Sequence, residues 1–292
     1  MGSDVELLLQ PAGACPPGAA IAAAIREMRR LEARLSRFLP ASDLSRANRA
    51  GRVDGAADLA AVLRVALAGR AATDGRFDPT LHDAVAAAGY DRPFARVPAE
   101  AGPPPGPARR GGGRVEVAPG GRVRLAPGVR IDLGGVAKGW AADRLCDLLA
   151  PAGACLVNAG GDVAVRGVPA GGAWVVGLDA PGGPGAISLV RGAVATSGRD
   201  RRRWRRAGRD LHHVIDPRTG RPAATDLMRV TVVAGTAAAA EVLATGLLVA
   251  GAAAARREAD RRGIPALLVP ESGPAVAAGG LAIPAISLGP EA

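Results

Sequence analysis

From Ile21 to Phe38 the apolar residues Ile21, Ile25, Met28, Leu31, Leu35 and Phe38 recur at steps of three and four among charged positions. That spacing predicts a helix with one stripe laid on a core. A second stripe, Leu59, Val62, Leu63, Ala66 and Leu67, predicts a helix over about 58–71. Two more helices are expected downstream, one beginning near Ala137 and carrying Trp140, Ala141, Leu145, Leu148 and Leu149, the other over about 236–250. Elsewhere the helical period gives way to short β-rich runs at 5–9, 156–158, 162–167, 173–179 and 230–233, parted by glycine turns. Strands and helices mix without a regular βαβ rhythm or an internal repeat. The pattern therefore predicts an α+β fold, a single domain over 1–292 with mixed, largely antiparallel sheets and packed helices. The Pro- and Gly-rich stretch 97–113 is expected to be a surface loop.

Composition sharpens this picture in three places. Aromatic residues make up only 2% of the chain, with Tyr90 the sole tyrosine, so Phe38, Phe77 and Trp140 stand out beside motifs. The net charge of +10 concentrates in RDRRRWRRAGR at 199–209, with Trp204 inside it. No recognisable nucleic-acid module surrounds that run, so a solvated hairpin or a phosphate-facing loop is expected there and no nucleic-acid partner. Cys15, Cys146 and Cys155 lack CxxC pairing and read as small buried thiols. No run reaches the ~18 apolar residues of a membrane helix, and the N-terminus has no basic and apolar leader, so the chain as written is expected in the cytoplasm with no integral membrane segment.

The candidate chemistry gathers in motifs. Of 37 basic residues only Lys138 is a lysine, and it lies in DLGGVAKGW at 132–140. Two glycines after a strand and before a helix let the backbone approach a ligand, and a helix start favours phosphate. Asp132 and Lys138 add a carboxylate and a compact cation. NAGGDV at 158–163 has the same form, although Asn158 and Asp162 suit local turn hydrogen bonds equally well. HHVIDPRTGRP at 212–222 holds two of the three histidines; His212 reads as structural, and His213, followed by Asp216, as a candidate general base. Glu241 and Thr245 lie four apart on a predicted helix, two hard oxygen donors on one face that suit Mg²⁺. FDPT at 77–80 offers Phe77 for stacking and an Asp-Pro turn.

Taken in order, MGS, LSRFLPASDLSRAN, FDPT, DLGGVAKGW, NAGGDV, ATSG, HHVIDPRTGRP and EVLATGLLVAG resemble the ApbE family of FAD:protein FMN transferases from Met1 to about Gly251. The resemblance implies FAD as substrate, Mg²⁺ as cofactor, and transfer of FMN to a threonine hydroxyl of an acceptor flavoprotein with release of AMP. By motif position it implies FAD contacts at Met1, Phe38, Arg76, Phe77, Asp78, Asp132, Lys138 and Ile215. It places metal ligands at the Gly135 carbonyl, Glu241 and Thr245, and catalytic roles at His213 and Lys138, with Asp216 as a further candidate. The chain departs from the family pattern in carrying Glu241 where aspartate is usual and Phe38 where tyrosine is common. Many family members are exported lipoproteins, whereas this chain starts at the MGS motif. Two rival activities are compatible with the same motifs: FAD pyrophosphatase action with water as nucleophile, and flavin binding without catalysis.

Overall fold

Amphipathic stripes need a surface to cover, and in the computed structural model that surface is a seven-stranded sheet. The structure describes residues 3–12, 14–101, 109–178 and 185–282. From edge to edge the sheet runs Val5–Pro11, Gly153–Ala159, Asp162–Arg166, Gly192–Gly198, Leu227–Ala234, Ala266–Pro270 and Val276–Ala278. Every adjacent pair is antiparallel, and the strands follow chain order, so all other elements are insertions between neighbours. The largest insertion, between the first two strands, holds α1 (Pro17–Leu35), α2 (Asp43–Ala50), α3 (Ala57–Ala72), α4 (His82–Ala87) and α5 (Ala137–Leu149). It also holds the small antiparallel sheet of Arg52–Val53, Arg122–Leu125 and Val115–Ala118. Helices α6 (Ala237–Ala250) and α7 (Ala252–Arg262) follow the fifth strand.

The two strand faces are covered differently. Ala193 and Ala195 point to the helical side, where α5 and α6 bury alanine, leucine and valine, while Val194 joins Leu178, Ile187, Leu267 and Val269 on the other. The second face is closed by the hairpin Trp174–Leu178/Gly185–Leu189. Helix α6 is apolar around most of its circumference, and ten of its fourteen residues are buried, as expected for a helix enclosed by a core rather than lying on one. Its buried charge, Glu241, therefore has to be explained by what it touches.

The α+β expectation holds, with local corrections. Helix α1 starts at Pro17 and stops at Leu35, which leaves Phe38 beyond its end. Leu148 faces outward on α5. Within 97–113, Glu100–Ala101 pairs in parallel with Arg205–Arg206, so the stretch is not wholly irregular, and 102–108 lie outside the described residues. The basic run forms the hairpin Arg203–Arg206/Arg209–His212, whose two-residue period turns Trp204 inward and Arg203 and Arg205 outward. Cys146 and Cys155 are buried free thiols and Cys15 is partly buried. No helix among the described residues is long and apolar enough to cross a membrane.

Candidate active site

The starts of α5 and α6 meet, and each helix caps the other. Asp143 of α5 accepts the N–H groups of Ala237 (2.9 Å) and Ala238 (3.1 Å) at the start of α6. Glu241 of α6 accepts the Gly139 N–H of α5 at 3.0 Å, replacing the missing side-chain cap at Val136. Gly139 makes the approach possible, since a Cβ there would lie 2.5 Å from the Ala237 carbonyl. Two positive helix ends are thus brought to one place, which favours anionic groups around them.

Lys138 sits at that junction. Its Nζ donates to Asp162 Oδ2 at 2.5 Å and to Glu241 Oε1, with both carboxylates buried and Lys138 partly buried. Burial alone would lower the Lys138 pKa, but the two carboxylates more than offset it and hold the ammonium charged well above its ordinary range. Burial, and next the negative charge of Asp162, push the Glu241 carboxyl up to about 8. Two carboxylates against one ammonium leave the cluster short of positive charge. One turn along α6, Thr245 Oγ1 shares a 2.7 Å hydrogen bond with Ser197 Oγ. Gly135 lies beside it, where a Cβ would be 3.1 Å from the Phe77 ring and 3.8 Å from Thr245 Oγ1.

The charged cluster is one end of a cavity of about 880 Å³, and the other end is aromatic. The chain holds three Phe, three Trp and one Tyr, yet Phe38 and Tyr90 line this end and Phe94 and Trp204 back them, with neighbouring centroids 6.0–6.4 Å apart. Such a concentration in an aromatic-poor chain marks the place where a flat ring would find π faces. The Arg37 guanidinium lies over Phe38 (4.6 Å) and Tyr90 (4.3 Å) and donates to Asp132 Oδ2 at 2.8 Å. Burial opposes the Asp132 charge, but Arg37 and the Gly134 N–H bond hold its carboxyl below the usual range. His213 meets the Tyr90 ring edge-on at 6.4 Å. Burial first, then the positive charge of Arg202, lower its pKa to about 3, and its buried Nδ1 has no hydrogen-bond partner among the described residues. His212, lowered to about 4 by burial, bonds the Ala223 carbonyl through Nε2, in keeping with its structural reading.

The cavity wall brings together Phe38, Arg76, Phe77, Asp78, Asp132, Gly135, Lys138, His213, Ile215, Glu241 and Thr245 of the expected residues. Met1 lies outside the described residues. Arg76 is tied to Glu258 of α7, and Asp78 spends its oxygens on Thr80 N, Thr80 Oγ1 and Gly112 N, so it braces a loop as well as facing the cavity. Asp216 is not on the wall. Its carboxylate accepts from the Arg218 guanidinium and backbone N–H, and its carbonyl closes the turn to Gly220. Trp140 also lies away from the cavity, packed near Arg144. Cavity residues not anticipated as site residues include Arg37, Tyr90, Ser197 and Arg202; Asp162, weighed only as a turn residue, stands behind the wall and holds Lys138. Among the described residues no three His, Cys, Asp or Glu side chains are grouped to hold a metal; the expected donor set contains just one such side chain, Glu241.

A sequence profile of the ApbE family matches residues 1–268. A FAD:protein FMN transferase of Salmonella typhimurium is 36% identical over 151 residues, 49% of this chain and 43% of that protein. A FAD:protein FMN transferase of Treponema pallidum is 36% identical over 137 residues, 41% of this chain and 38% of that protein. The match thus spans less than half the length of these curated relatives. Among solved structures, the ApbE protein of Thermotoga maritima aligns with a TM-score of 0.82 at 28% identity, covering 95% of this chain and 94% of that one. The apo flavinyl transferase ApbE of Pseudomonas stutzeri gives 0.81 at 25% identity, covering 95% and 92%.

Proposed function

Because this chain belongs to the ApbE family, we propose that it is a FAD:protein FMN transferase, moving FMN from FAD to a threonine hydroxyl of an acceptor flavoprotein with release of AMP. The observation that carries the reading is the two-ended cavity: rings at one end for a flavin, and at the other a partly buried lysine between two carboxylates where two helix starts meet.

In this reading the threonine oxygen attacks the FMN phosphorus, the bond from that phosphorus to the bridging oxygen breaks, and AMP leaves with that oxygen. His213, on the cavity wall, takes the hydroxyl proton on a ring nitrogen. In the cavity without substrate the imidazole is neutral, so it is free to accept; a diphosphate brought beside it supplies the negative charge that raises its basicity. Lys138 meets charge developing on the leaving phosphate, and Arg37, held flat over Phe38 and Tyr90, orients the ring end.

The residues present fit Mg²⁺: the cluster is short of positive charge, Glu241 and Thr245 stand one turn apart on α6 with Gly135 beside Thr245, and all three offer hard oxygen donors. Those three would hold the ion, which would neutralise phosphate oxygens during transfer. Glu241 spends one oxygen on Lys138 and the other on Gly139 N–H, so it would hold the ion only by sharing an oxygen already in use.

Incubation with FAD, MgCl₂ and a threonine-bearing flavoprotein, followed by in-gel flavin fluorescence of the denatured acceptor, tests the reading. A fluorescent acceptor band and stoichiometric AMP are expected. Free FMN with no labelled acceptor would replace transferase by pyrophosphatase, and FAD left intact would leave a flavin-binding protein.

A further inference from the structure

Beyond the wall of Arg37 lies a second, open cavity of about 1050 Å³, built from the end of α2, the strands Arg52–Val53 and Arg122–Leu125, and the loop 126–130. Its rim carries Arg49, Arg52, Arg124 and Arg130, and Arg37 lines both cavities. Arg130 pairs with Asp83 and Arg37 with Asp132, but Arg49, Arg52 and Arg124 have no carboxylate partner among the described residues. The next carboxylate across the sheet, Glu116, faces Arg124 but is taken by Arg114 at 2.7 Å.

Excess arginine is general in this chain, so number alone says nothing. What sets this groove apart is register: Arg52 and Arg124 are direct cross-strand partners, both exposed and on one face. Like charges directly opposite one another destabilise a strand pair, and an anion lying across them removes that repulsion. The floor is rigidly joined to the reaction site. Asn48 clasps the Ile131 backbone from both sides, donating to its carbonyl at 2.8 Å and accepting its N–H at 2.7 Å, one residue before Asp132.

We propose that this groove docks an acidic segment of the acceptor polypeptide, next to the threonine presented to the cavity. The inference rests on the transferase reading above. An open rim of exposed guanidinium forks from four elements fits carboxylates along an extended chain, whereas small-anion sites are mostly enclosed. Complementary charge at such a rim steers encounter and sets partner choice.

The test uses the full chain and a short fluorescein-labelled peptide of Asp and Gly around one Thr, read by anisotropy, with FAD binding measured separately. Arg52→Glu places opposite charges across the strand pair, so its Tm should not fall. Arg49→Glu/Arg52→Glu should weaken peptide binding about tenfold or more and leave FAD affinity unchanged, and wild-type peptide binding should fall steeply with NaCl. Equal peptide affinity in the wild type and double variant would overturn the proposal. So would inorganic tripolyphosphate binding more tightly than the peptide at the same arginines, which would make the groove a small-anion site. Peptide binding without any FMN transfer would instead sink the transferase reading and leave the groove standing.

Discussion

The two ends of the main cavity are held by different physics. At the charged end, Asp162 and Glu241 are buried, Lys138 is partly buried between them, and they meet through short hydrogen bonds, so each group has few alternatives if a partner is lost. At the aromatic end, rings 6.0–6.4 Å apart and a guanidinium over their faces make many weak contacts that can readjust. Loss at the first end should be abrupt and at the second gradual.

The sharpest break in that contrast is Lys138→Met. Two buried carboxylates would lose their only common cation, and stability in urea at pH 7 should fall by about 3–5 kcal/mol. Adding Glu241→Gln should recover part of the loss; a single variant as stable as wild type would mean the cluster is hydrated and weakly coupled. Lys138→Arg should keep the fold and lose most transfer activity, since a planar fork cannot replace a compact ammonium between two acceptors.

Next comes His213→Ala, which should slow FMN transfer by about 10²-fold or more while changing FAD affinity little. Parallel loss of rate and affinity would make His213 part of the aromatic binding end rather than the proton acceptor. For Glu241→Gln, the remaining Lys138–Asp162 pair is balanced, so the fold should be spared while the Mg²⁺ midpoint for activity rises at least about tenfold. An unmoved midpoint would take Glu241 out of the metal set.

Smaller effects distinguish the gradual end. His212 is lowered to about 4, so above pH 6.5 folded and unfolded chains are both neutral there. As pH falls from 6.5 towards 4, the unfolded chain binds a proton the folded chain refuses, and stability is lost. Between pH 6.5 and 5 this amounts to at most about 2 kcal/mol, which His212→Gln should remove from the difference in urea stability between those two pH values. An equally steep fall in the variant would assign the acid sensitivity elsewhere. Tyr90→Leu should cost only about two- to tenfold in FAD affinity and leave the Mg²⁺ midpoint untouched. A collapse of activity there would show that the aromatic end is as brittle as the charged one.

The helices α1, α3 and α5 were legible from their periodic apolar stripes, and α6 from a long run of helix-forming apolar residues after Thr236. The strand Gly192–Gly198 was not, because a run of Gly, Ala, Val, Thr and Ser carries little alternation, and its place at the centre of the sheet depends on two neighbours. Of the residues the motifs singled out, Lys138, Glu241 and Thr245 share the cavity wall, whereas Asp216 is off it with its carboxylate bonded to Arg218 two residues away.

By itself the sequence determined the α+β class, the main helices and which short motifs carry unusual chemistry, since periodicity and glycine placement act locally. Only the tertiary structure decided that Lys138 answers to Asp162 and Glu241, 24 and 103 residues away, and that Arg37 stacks on Tyr90. Burial and charge compensation depend on which distant groups share a low-dielectric space, and local pattern does not encode that.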